Sequence, residues 1–289
     1  MSVGTKSTSK ETAYHLRAFN FQNLHGAVKG FVAESLPCSQ VKACYQITAG
    51  LSNHNYLLVV EQSKYLLKLY QKDMPISSLT FQGFLAATIP NIQDVIRWDA
   101  ALKVALFTYV DEAVAGIEKK RLCNLVETIA LVHKQPSVNL PVSLDLKQAL
   151  SDLSLTFKQR THSELRYCLH LLESYPKELG CCHNDLVREN LIPTEDGVIV
   201  IDFEYAAIGD VYFDLAAVAT SFWMNDEDIV RMLAIYYDQM GLKVPDYAVE
   251  KLRGFRVAYL LLCISWYEER GEAEKAASLL SQLDELNAT

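Results

Sequence analysis

Three polar residues in the second half of the chain have the types and spacing of a metal-dependent transfer site. Asp185 and Asn190 lie in the string His183-Asn-Asp-Leu-Val-Arg-Glu-Asn190, and the apolar run 198–201 then leads to Asp202. An aspartate in such a loop can take the proton of an acceptor hydroxyl, while the amide oxygen five residues later and the second carboxylate can bind Mg²⁺. Because phosphoryl transfer needs mainly positioning and charge neutralisation from a protein, the pattern predicts that reaction.

A zinc site at the same segment is the competing interpretation, because Cys181 and Cys182 precede His183. Two adjacent thiols cannot easily bind one tetrahedral ion together, and the chain has no second cysteine pair. Its seven cysteines are scattered and odd in number, which predicts neither a disulfide framework nor a zinc knuckle. We therefore expect reduced thiols in a cytoplasmic protein.

The chain is long and apolar enough to form two folded lobes. It has 289 residues, of which 50% are hydrophobic. Apolar spacings of three and four predict a leading helix over residues 11–36. The short β-rich runs that follow predict an antiparallel meander, with strands at residues 41–48, 55–61 and 65–70.

The later elements change from strands to helices. A helix at 79–87 and strands at 95–98 and 103–110 are followed by an acidic, small-residue break at 111–115. Helical patterns then dominate to the end of the chain, apart from a mixed patch, at residues 118–133, 144–152 and 163–174 and after 202. We predict an α+β fold with a small β-rich lobe (1–110), a larger, mainly helical lobe (111–289), and a ligand cleft between them.

Charge and hydropathy exclude two classes of partner. The 27 Lys and Arg against 35 Asp and Glu give a net charge of −8, which disfavours binding to nucleic acid. The longest apolar stretch, residues 257–266, is about half of a bilayer span, and the first 30 residues have no signal-peptide pattern. We therefore predict no nucleic-acid partner, no membrane span and no secretory signal.

The string that starts at Asp202 resembles a family of small-molecule kinases. Asp202-Phe-Glu-Tyr-Ala is followed by Gly209-Asp-Val-Tyr-Phe-Asp-Leu215. Choline kinases, thiamine kinases and aminoglycoside phosphotransferases carry D-(W/F)-E-Y-A and then G-D-x-x-x-D-L, whereas protein kinases carry D-F-G. The resemblance runs from about Val41 onward and includes Gly50-Leu-Ser-Asn-His-Asn-Tyr56, which is similar to the family's phosphate-binding hairpin. It implies a bilobal protein-kinase-like fold, with an antiparallel sheet in the N-lobe, and ATP as co-substrate.

The resemblance also implies individual roles. Lys68 would pair with the α- and β-phosphates of ATP, and His183 would brace the catalytic loop. Asp214 would open a helix, with an N-cap role as the main expectation, and would also brace that loop. The hairpin backbone at Ser52, Asn53 and Asn55 would cover the phosphates of the nucleotide. The end of the last sheet strand, at Thr108, Tyr109 and Val110, would contact adenine.

Two positions depart from the family pattern. Residues 69–93 contain no glutamate, and Gln82 stands where the partner of Lys68 is expected. Val187 stands where kinases often have Lys or His, and the next residue, Arg188, either reaches the γ-phosphate or is a solvated loop arginine. The missing glutamate leaves open the alternative that the chain is a non-catalytic nucleotide-binding protein with a kinase-like fold. The presence of Lys68, Asp185, Asn190 and Asp202 together argues for an enzyme.

Aromatic and acidic residues in the later segments suit a cationic acceptor. A single aromatic residue in these segments is more often part of the hydrophobic core than of a ligand site. Aromatic ring faces and carboxylates together, however, attract a cation. The expected acceptor residues are Glu204, Tyr205, Trp223, Trp266 and Tyr267. The string Ser265-Trp-Tyr-Glu-Glu269 looks closest to thiamine kinases, with choline kinases nearly as similar. We predict a Mg²⁺-dependent, monomeric or homodimeric kinase of a small cationic alcohol, with aminoglycosides as the alternative acceptors.

Overall fold

The structure is a computed structural model that describes residues 16–36, 40–48, 53–112, 117, 119–136, 139–142 and 145–288. Its contacts separate two units. Unit 1 comprises the chain up to Met74 together with Asp94–Val110, and unit 2 comprises Pro75–Gln93 together with the chain from Asp111. Unit 1 is built on an antiparallel sheet and unit 2 mainly on helices, which confirms the predicted α+β class.

Unit 1 contains a six-stranded antiparallel sheet with the strand order β1-β2-β3-β4-β6-β5. The three strands β2, β3 and β4 form the predicted meander. Lys68 on β4 lies opposite Asn55 on one neighbouring strand and Ala105 on the other. The six strands are β1 (Leu16–Ala18), β2 (Val41–Ile47), β3 (Asn53–Val60), β4 (Ser63–Tyr70), β5 (Val95–Asp99) and β6 (Val104–Thr108).

The leading helix predicted over residues 11–36 is wrong in its first half. Leu16–Ala18 is strand β1, which pairs with β2, and the helix α1 spans only Gly26–Ser35. Two polar residues interrupt the apolar periodicity, because the Asn20 side chain accepts the backbone N–H of Gln22 and His25 Nδ1 accepts that of Ala27. Such local hydrogen bonds start a new turn or helix, so the helix begins only at Gly26. Residues 11–15 lie outside the described part of the chain.

Unit 2 is organised around a long central helix, α9. This helix packs against α4, α6, α7, α8 and α10, and most of its residues from Leu252 to Ile264 are buried. None of the described helices is long and apolar enough to cross a membrane. The helices of unit 2 are α2 (Ile76–Ala86), α3 (Lys119–His133), α4 (Leu146–Ser151), α5 (Leu155–Arg160), α6 (His162–Ser174), α7 (Tyr212–Ser221), α8 (Asp226–Met240), α9 (Ala248–Glu269) and α10 (Ala273–Ala288).

Two short antiparallel strand pairs in unit 2 hold the loops that carry the predicted catalytic residues. One pairs β7 (Leu179–Cys182) with β10 (Ala207–Asp210), and the other pairs β8 (Leu191–Pro193) with β9 (Val198–Val200). The loop from His183 to Asn190 therefore runs from the end of β7 to the start of β8. Asp202 follows β9 in the same way, so both polar segments emerge from ordered strands.

The close contact between α6 and α9 generates a stability prediction at Gly254. A Cβ at this position would lie 2.6 Å from the Cβ of Leu171, closer than real side chains approach. Although alanine is normally the better helix residue, we expect Gly254→Ala to lower the free energy of unfolding by about 1–3 kcal/mol through overpacking. Thermal or urea unfolding measures this change.

The matched control is Gly30→Ala in α1, where nothing lies within 4 Å of the added Cβ. This substitution should stabilise the protein by up to about 1 kcal/mol, because glycine costs that much in a helix interior. Equal effects of the two variants would contradict the packing of α9 on Leu171.

Candidate active site

His183 joins the catalytic loop to the segment that carries Asp202. Its ring nitrogen Nε2 lies 2.9 Å from the carbonyl oxygen of Ile201, and its Nδ1 accepts the backbone N–H of Asp185 at 3.2 Å. Because Nδ1 accepts this hydrogen bond, the ring proton is on Nε2 and is donated to Ile201. The ring also packs on Phe203 with 4.4 Å between centroids. His183 is thus placed for the bracing role that the family resemblance implies.

Asp214 binds the loop backbone and does not cap its helix. It is the third residue of α7, and its carboxylate accepts the backbone N–H groups of His183 at 2.7 Å and Asn184 at 2.8 Å. The expected N-cap role is therefore wrong, since Asp210 accepts the first N–H of α7, from Tyr212. Burial alone would raise the Asp214 pKa, but its hydrogen bonds, first from His133 and then from the His183 backbone, hold that pKa below its ordinary value.

Asp185 is partly buried and is oriented by Asn190. The Asn190 amide nitrogen donates to the Asp185 carboxylate at 2.8 Å and to its carbonyl oxygen at 2.9 Å. Burial above all, together with the nearby charges of Asp202 and Glu204, raises the pKa of Asp185. A raised pKa makes a carboxylate a better proton acceptor, so this group is suited to take the proton of a hydroxyl.

The two predicted metal ligands offer the oxygen donors that Mg²⁺ prefers. The side-chain amide nitrogen of Asn190 donates to Asp185, so the side-chain oxygen Oδ1 is the atom that does not face Asp185. The backbone N–H of Ile201 donates to the backbone carbonyl oxygen of Asn190 at 3.0 Å. Asp202 has a left-handed backbone with φ of 62°, which is uncommon outside glycine and is typical of functional sites. An amide oxygen and a carboxylate fit a magnesium site. Their role as ligands stays a prediction.

Three residues on one face of α9 lie near Asp185 and were not among the expected site residues as a set. Tyr259, Cys263 and Tyr267 are spaced by four on this helix, and Tyr259 and Cys263 are neighbours that perturb each other's pKa. Burial mainly, with a contribution from the Asp185 charge, raises the pKa of Cys263 and of Tyr267 to about 12. The spacing is visible in the sequence, but the face that meets Asp185 is not.

The other expected acceptor residues have varied surroundings. Tyr205 and Trp223 are about half exposed, and Trp223 has a left-handed backbone in the turn between α7 and α8. One face of the Trp266 ring is covered by the guanidinium of Arg270, whose Cζ lies 3.8 Å from the ring centroid. Tyr267 meets Trp266 edge-on. The surroundings of both Tyr205 and Tyr267 include the Asp185 charge.

Arg188 lies beside the end of α7. Its guanidinium carbon is 5.7 Å from the centroid of the Phe222 ring, and the side chain is exposed. Ser221, the last residue of α7, donates its hydroxyl to the carbonyl of Leu186 at 3.1 Å. This hydrogen bond holds α7 against the catalytic loop. A γ-phosphate contact of Arg188 stays a prediction.

Lys68 is a buried member of the predicted nucleotide residues of unit 1. Lys68 is only 4% exposed, and its amine lies 5.3 Å from the centroid of the Tyr70 ring. Asn55, opposite Lys68 in the sheet, has a buried Oδ1 without a hydrogen-bond partner among the described residues. Asn53 accepts the N–H of Gln71, and Ser52 lies outside the described chain.

The residues expected to contact adenine lie at the end of strand β6 and directly after it. Thr108 ends β6 and pairs through its backbone N–H with Asp94, and the next residue, Tyr109, donates its N–H to the carbonyl of Lys64 at 3.2 Å. Val110 follows directly. Backbone groups at a strand end of this kind are positioned by the sheet, and their contact with a nucleotide stays a prediction.

Residues 44–252 match the phosphotransferase enzyme family (APH). Because this segment is more than half of the chain, the protein belongs to that family and is a small-molecule phosphotransferase. The membership confirms the resemblance drawn from the Asp202 string and from the loop that carries Asp185.

Two characterised relatives act on different alcohols. A homoserine kinase of Rhodospirillum rubrum is 27% identical over 220 residues, which are 67% of this chain and 68% of that protein. A thiamine kinase of Salmonella paratyphi B is 28% identical over 165 residues, which are 55% of this chain and 59% of that protein. The chain thus spans less than two thirds of the thiamine kinase, and the comparison does not fix an acceptor.

Solved structures agree on the fold. Choline kinase LicA from Streptococcus pneumoniae superposes with a TM-score of 0.67, at 17% identity, over 90% of this chain and 99% of that chain. The same protein in complex with AMP gives a TM-score of 0.65. At this identity the likeness shows the fold alone, and it confirms the predicted protein-kinase-like architecture.

The environment of Gln82 generates a prediction about the missing glutamate. Gln82 on α2 is buried, and its amide nitrogen donates to the carbonyl of Gln93 at 3.0 Å. A glutamate here would place an acceptor-only carboxylate against that carbonyl, so we expect Gln82→Glu to lower the free energy of unfolding by about 1–3 kcal/mol. Chemical unfolding at neutral pH measures it.

An exposed substitution on the same helix, Thr80→Glu, is the control and should change stability little. Undiminished stability of Gln82→Glu, together with higher phosphotransfer activity, would contradict this account. That outcome would indicate that the helix lacks only a charged partner for Lys68.

Proposed function

We propose that the protein transfers the γ-phosphate of ATP to the hydroxyl of a small cationic alcohol. The observation that carries this proposal is the Asp185 carboxylate, held by Asn190 beside Asp202 and Glu204. The acceptor oxygen forms a bond to the γ-phosphorus while the bond from that phosphorus to the bridging β–γ oxygen breaks, and ADP leaves. Asp185 takes the hydroxyl proton.

The chain's own residues supply orientation more than covalent chemistry. Asn190 keeps the Asp185 oxygen in place, and Asn190 and Asp202 are the proposed ligands of Mg²⁺, which neutralises phosphate charge when bound. Lys68 is proposed to pair with the α- and β-phosphates. Since its amine sits in a buried position on a rigid strand, little side-chain entropy is lost when it binds.

The charge around Asp185 supports a cationic acceptor. Asp202 and Glu204 lie near Asp185, and Glu189 lies near Tyr267, so carboxylates and aromatic rings border the same region. A permanent cation cannot lose its charge to avoid desolvation, so ring faces and carboxylates must replace its water. Thiamine and choline are such alcohols, and we propose thiamine first and choline second.

Homoserine is a second candidate acceptor. It is favoured by the match to a homoserine kinase over 220 residues, a longer segment than the match to a thiamine kinase. Homoserine also carries a positively charged nitrogen, but its carboxylate would need a cationic partner in the site. Aminoglycosides remain the polycationic alternative within the same family.

The role of Asp185 predicts both a rate and a pH effect. Asp185→Asn should lower kcat by about 10²-fold or more, since positioned base assistance is worth about 10² to 10⁴. In the unmodified enzyme, kcat/KM should fall as the pH drops through the Asp185 pKa, and this acid limb should lie above the ordinary aspartate value of about 3.9 because that pKa is raised.

Steady-state kinetics between pH 4 and 9 with ATP and the best acceptor measure both effects. ATP affinity, measured by calorimetry, is the control and should be retained in Asp185→Asn. Normal turnover in this variant would remove Asp185 from the reaction.

The acceptor assignment predicts selectivity for cationic alcohols. In an ATP-consumption screen we expect thiamine or choline to be turned over in preference to neutral sugars and nucleosides, with homoserine and an aminoglycoside as the remaining arms. Tyr267→Leu should raise the acceptor KM by about two- to thirtyfold, which corresponds to about 0.5–2 kcal/mol for one cation–π contact.

The matched control for Tyr267 is Tyr175→Leu, which removes a half-buried ring that stacks on Tyr247 at the end of α6. Its acceptor KM should stay unchanged. Selective phosphorylation of a neutral alcohol, or a rise in the KM for ATP alone in Tyr267→Leu, would contradict the cationic assignment.

A further inference from the structure

A chain of buried hydrogen bonds connects the catalytic loop to helix α8. His133, the last residue of α3, has Nε2 at 3.1 Å from Oδ2 of Asp214, the residue that holds the loop amides. The other ring nitrogen of His133, Nδ1, lies 2.9 Å from the hydroxyl of Tyr236 on α8. The rings of His133 and Tyr236 meet edge to face, and both residues are buried, as is Asp214.

The partners fix where the protons of this chain lie. Asp214 also accepts two backbone N–H groups, so it acts as a carboxylate, and the proton of His133 must be on Nε2 to be donated to it. With that proton assigned, Nδ1 of His133 is the atom that faces the Tyr236 hydroxyl and is placed to accept its proton. Burial raises the Tyr236 pKa, so this hydroxyl keeps its proton. Each donor in the chain therefore meets an acceptor.

We propose that Tyr236 and His133 are positioning residues for phosphoryl transfer, acting on Asp185 through Asp214 and the backbone of the catalytic loop. Tyr236 selects the His133 tautomer that donates to Asp214, and His133 supplies the third N–H that keeps this buried carboxylate charged. The role in catalysis rests on the proposed function of the loop, whereas the hydrogen-bonded chain itself does not.

The loop requires this support because its backbone is strained where Asp214 holds it. Asn184, directly before Asp185, has a left-handed φ of 64°, and its N–H donates to Oδ1 of Asp214. A left-handed backbone is uncommon in residues other than glycine, and at Asn184 the hydrogen bond to Asp214 holds this conformation in place. If Asp214 accepted the Asn184 N–H hydrogen bond less strongly, Asn184 would leave this conformation and the neighbouring Asp185 would be displaced.

A metal site at the same place is the competing interpretation. One ligand atom each from His133, Cys182 and Asp214 lie within 4.8 Å of one another. However, both Asp214 oxygens already accept N–H groups, three in all, and one of these donors is Nε2 of His133 itself. Because the hydrogen-bonded chain already uses these atoms, it is the better account of their positions.

The test uses two adjacent tyrosines of α8. Tyr236→Phe removes the hydroxyl that meets His133, whereas Tyr237→Phe removes an equally buried hydroxyl that bonds to Glu178 and Tyr212. Hydrogen exchange of the His183 and Asn184 amides, measured by NMR, should become about five- to tenfold faster in Tyr236→Phe than in Tyr237→Phe, as expected for the loss of one buried hydrogen bond. Thermal unfolding controls for general destabilisation.

Rescue at His133 is the second test and does not depend on the tyrosines. His133→Gln keeps an N–H donor near the place of Nε2, whereas His133→Leu removes it. We expect kcat to fall at least tenfold in the leucine variant and to recover in part in the glutamine variant, with the KM for ATP unchanged in both.

Equal amide exchange in the two tyrosine variants, or a glutamine variant no better than the leucine variant when both are folded, would overturn the proposal. So would loss of the amide protection on treatment with a zinc chelator, which would indicate the metal site. If no acceptor is phosphorylated even by the unmodified protein, the proposed function fails, but the exchange experiment still decides this inference.

Discussion

A single buried carboxylate, that of Asp214, holds the candidate site together. An ion removed from water costs several kcal/mol unless hydrogen bonds replace its hydration. Here two of the replacing donors are the backbone N–H groups of the loop residues that directly precede Asp185. If the loop moved away, the charged carboxylate would be left in the core without these hydrogen bonds. Because an unpaired buried charge is highly unfavourable, the burial of Asp214 keeps the loop in place.

The polar residues of unit 2 then fix one another through short bonds. His183 links the loop to Ile201, the residue before Asp202, and the Ile201 N–H returns to the carbonyl of Asn190. Asn190 in turn binds both the carboxylate and the carbonyl of Asp185. The proposed base and the two proposed metal ligands are therefore positioned as one group, which would leave little reorganisation for the moment of reaction.

The sequence predicted those parts whose signals are local, and it failed where a distant partner decides. The meander and the loop with Asp185 are continuous patterns, so spacing and turn residues were sufficient. Strand β10 was missed because its four residues become a strand only by pairing with β7. Likewise the role of Asp214 depends on which loop packs against α7, and a carboxylate in a first helical turn otherwise indicates a cap.

The acidic surroundings of Asp185 have two opposite effects on the proposed reaction. Burial, Asp202 and Glu204 raise the pKa of Asp185, which strengthens it as a base but favours its protonated, inactive form as the pH falls. The same carboxylates attract a cation. On the proposed function, a positive charge bound beside these carboxylates would offset their field and favour the charged form of Asp185. A neutral alcohol of the same size would only add desolvation, which raises the Asp185 pKa further. On the proposed function, the site would discriminate between acceptors by the charge state of Asp185 as well as by contact with the aromatic rings.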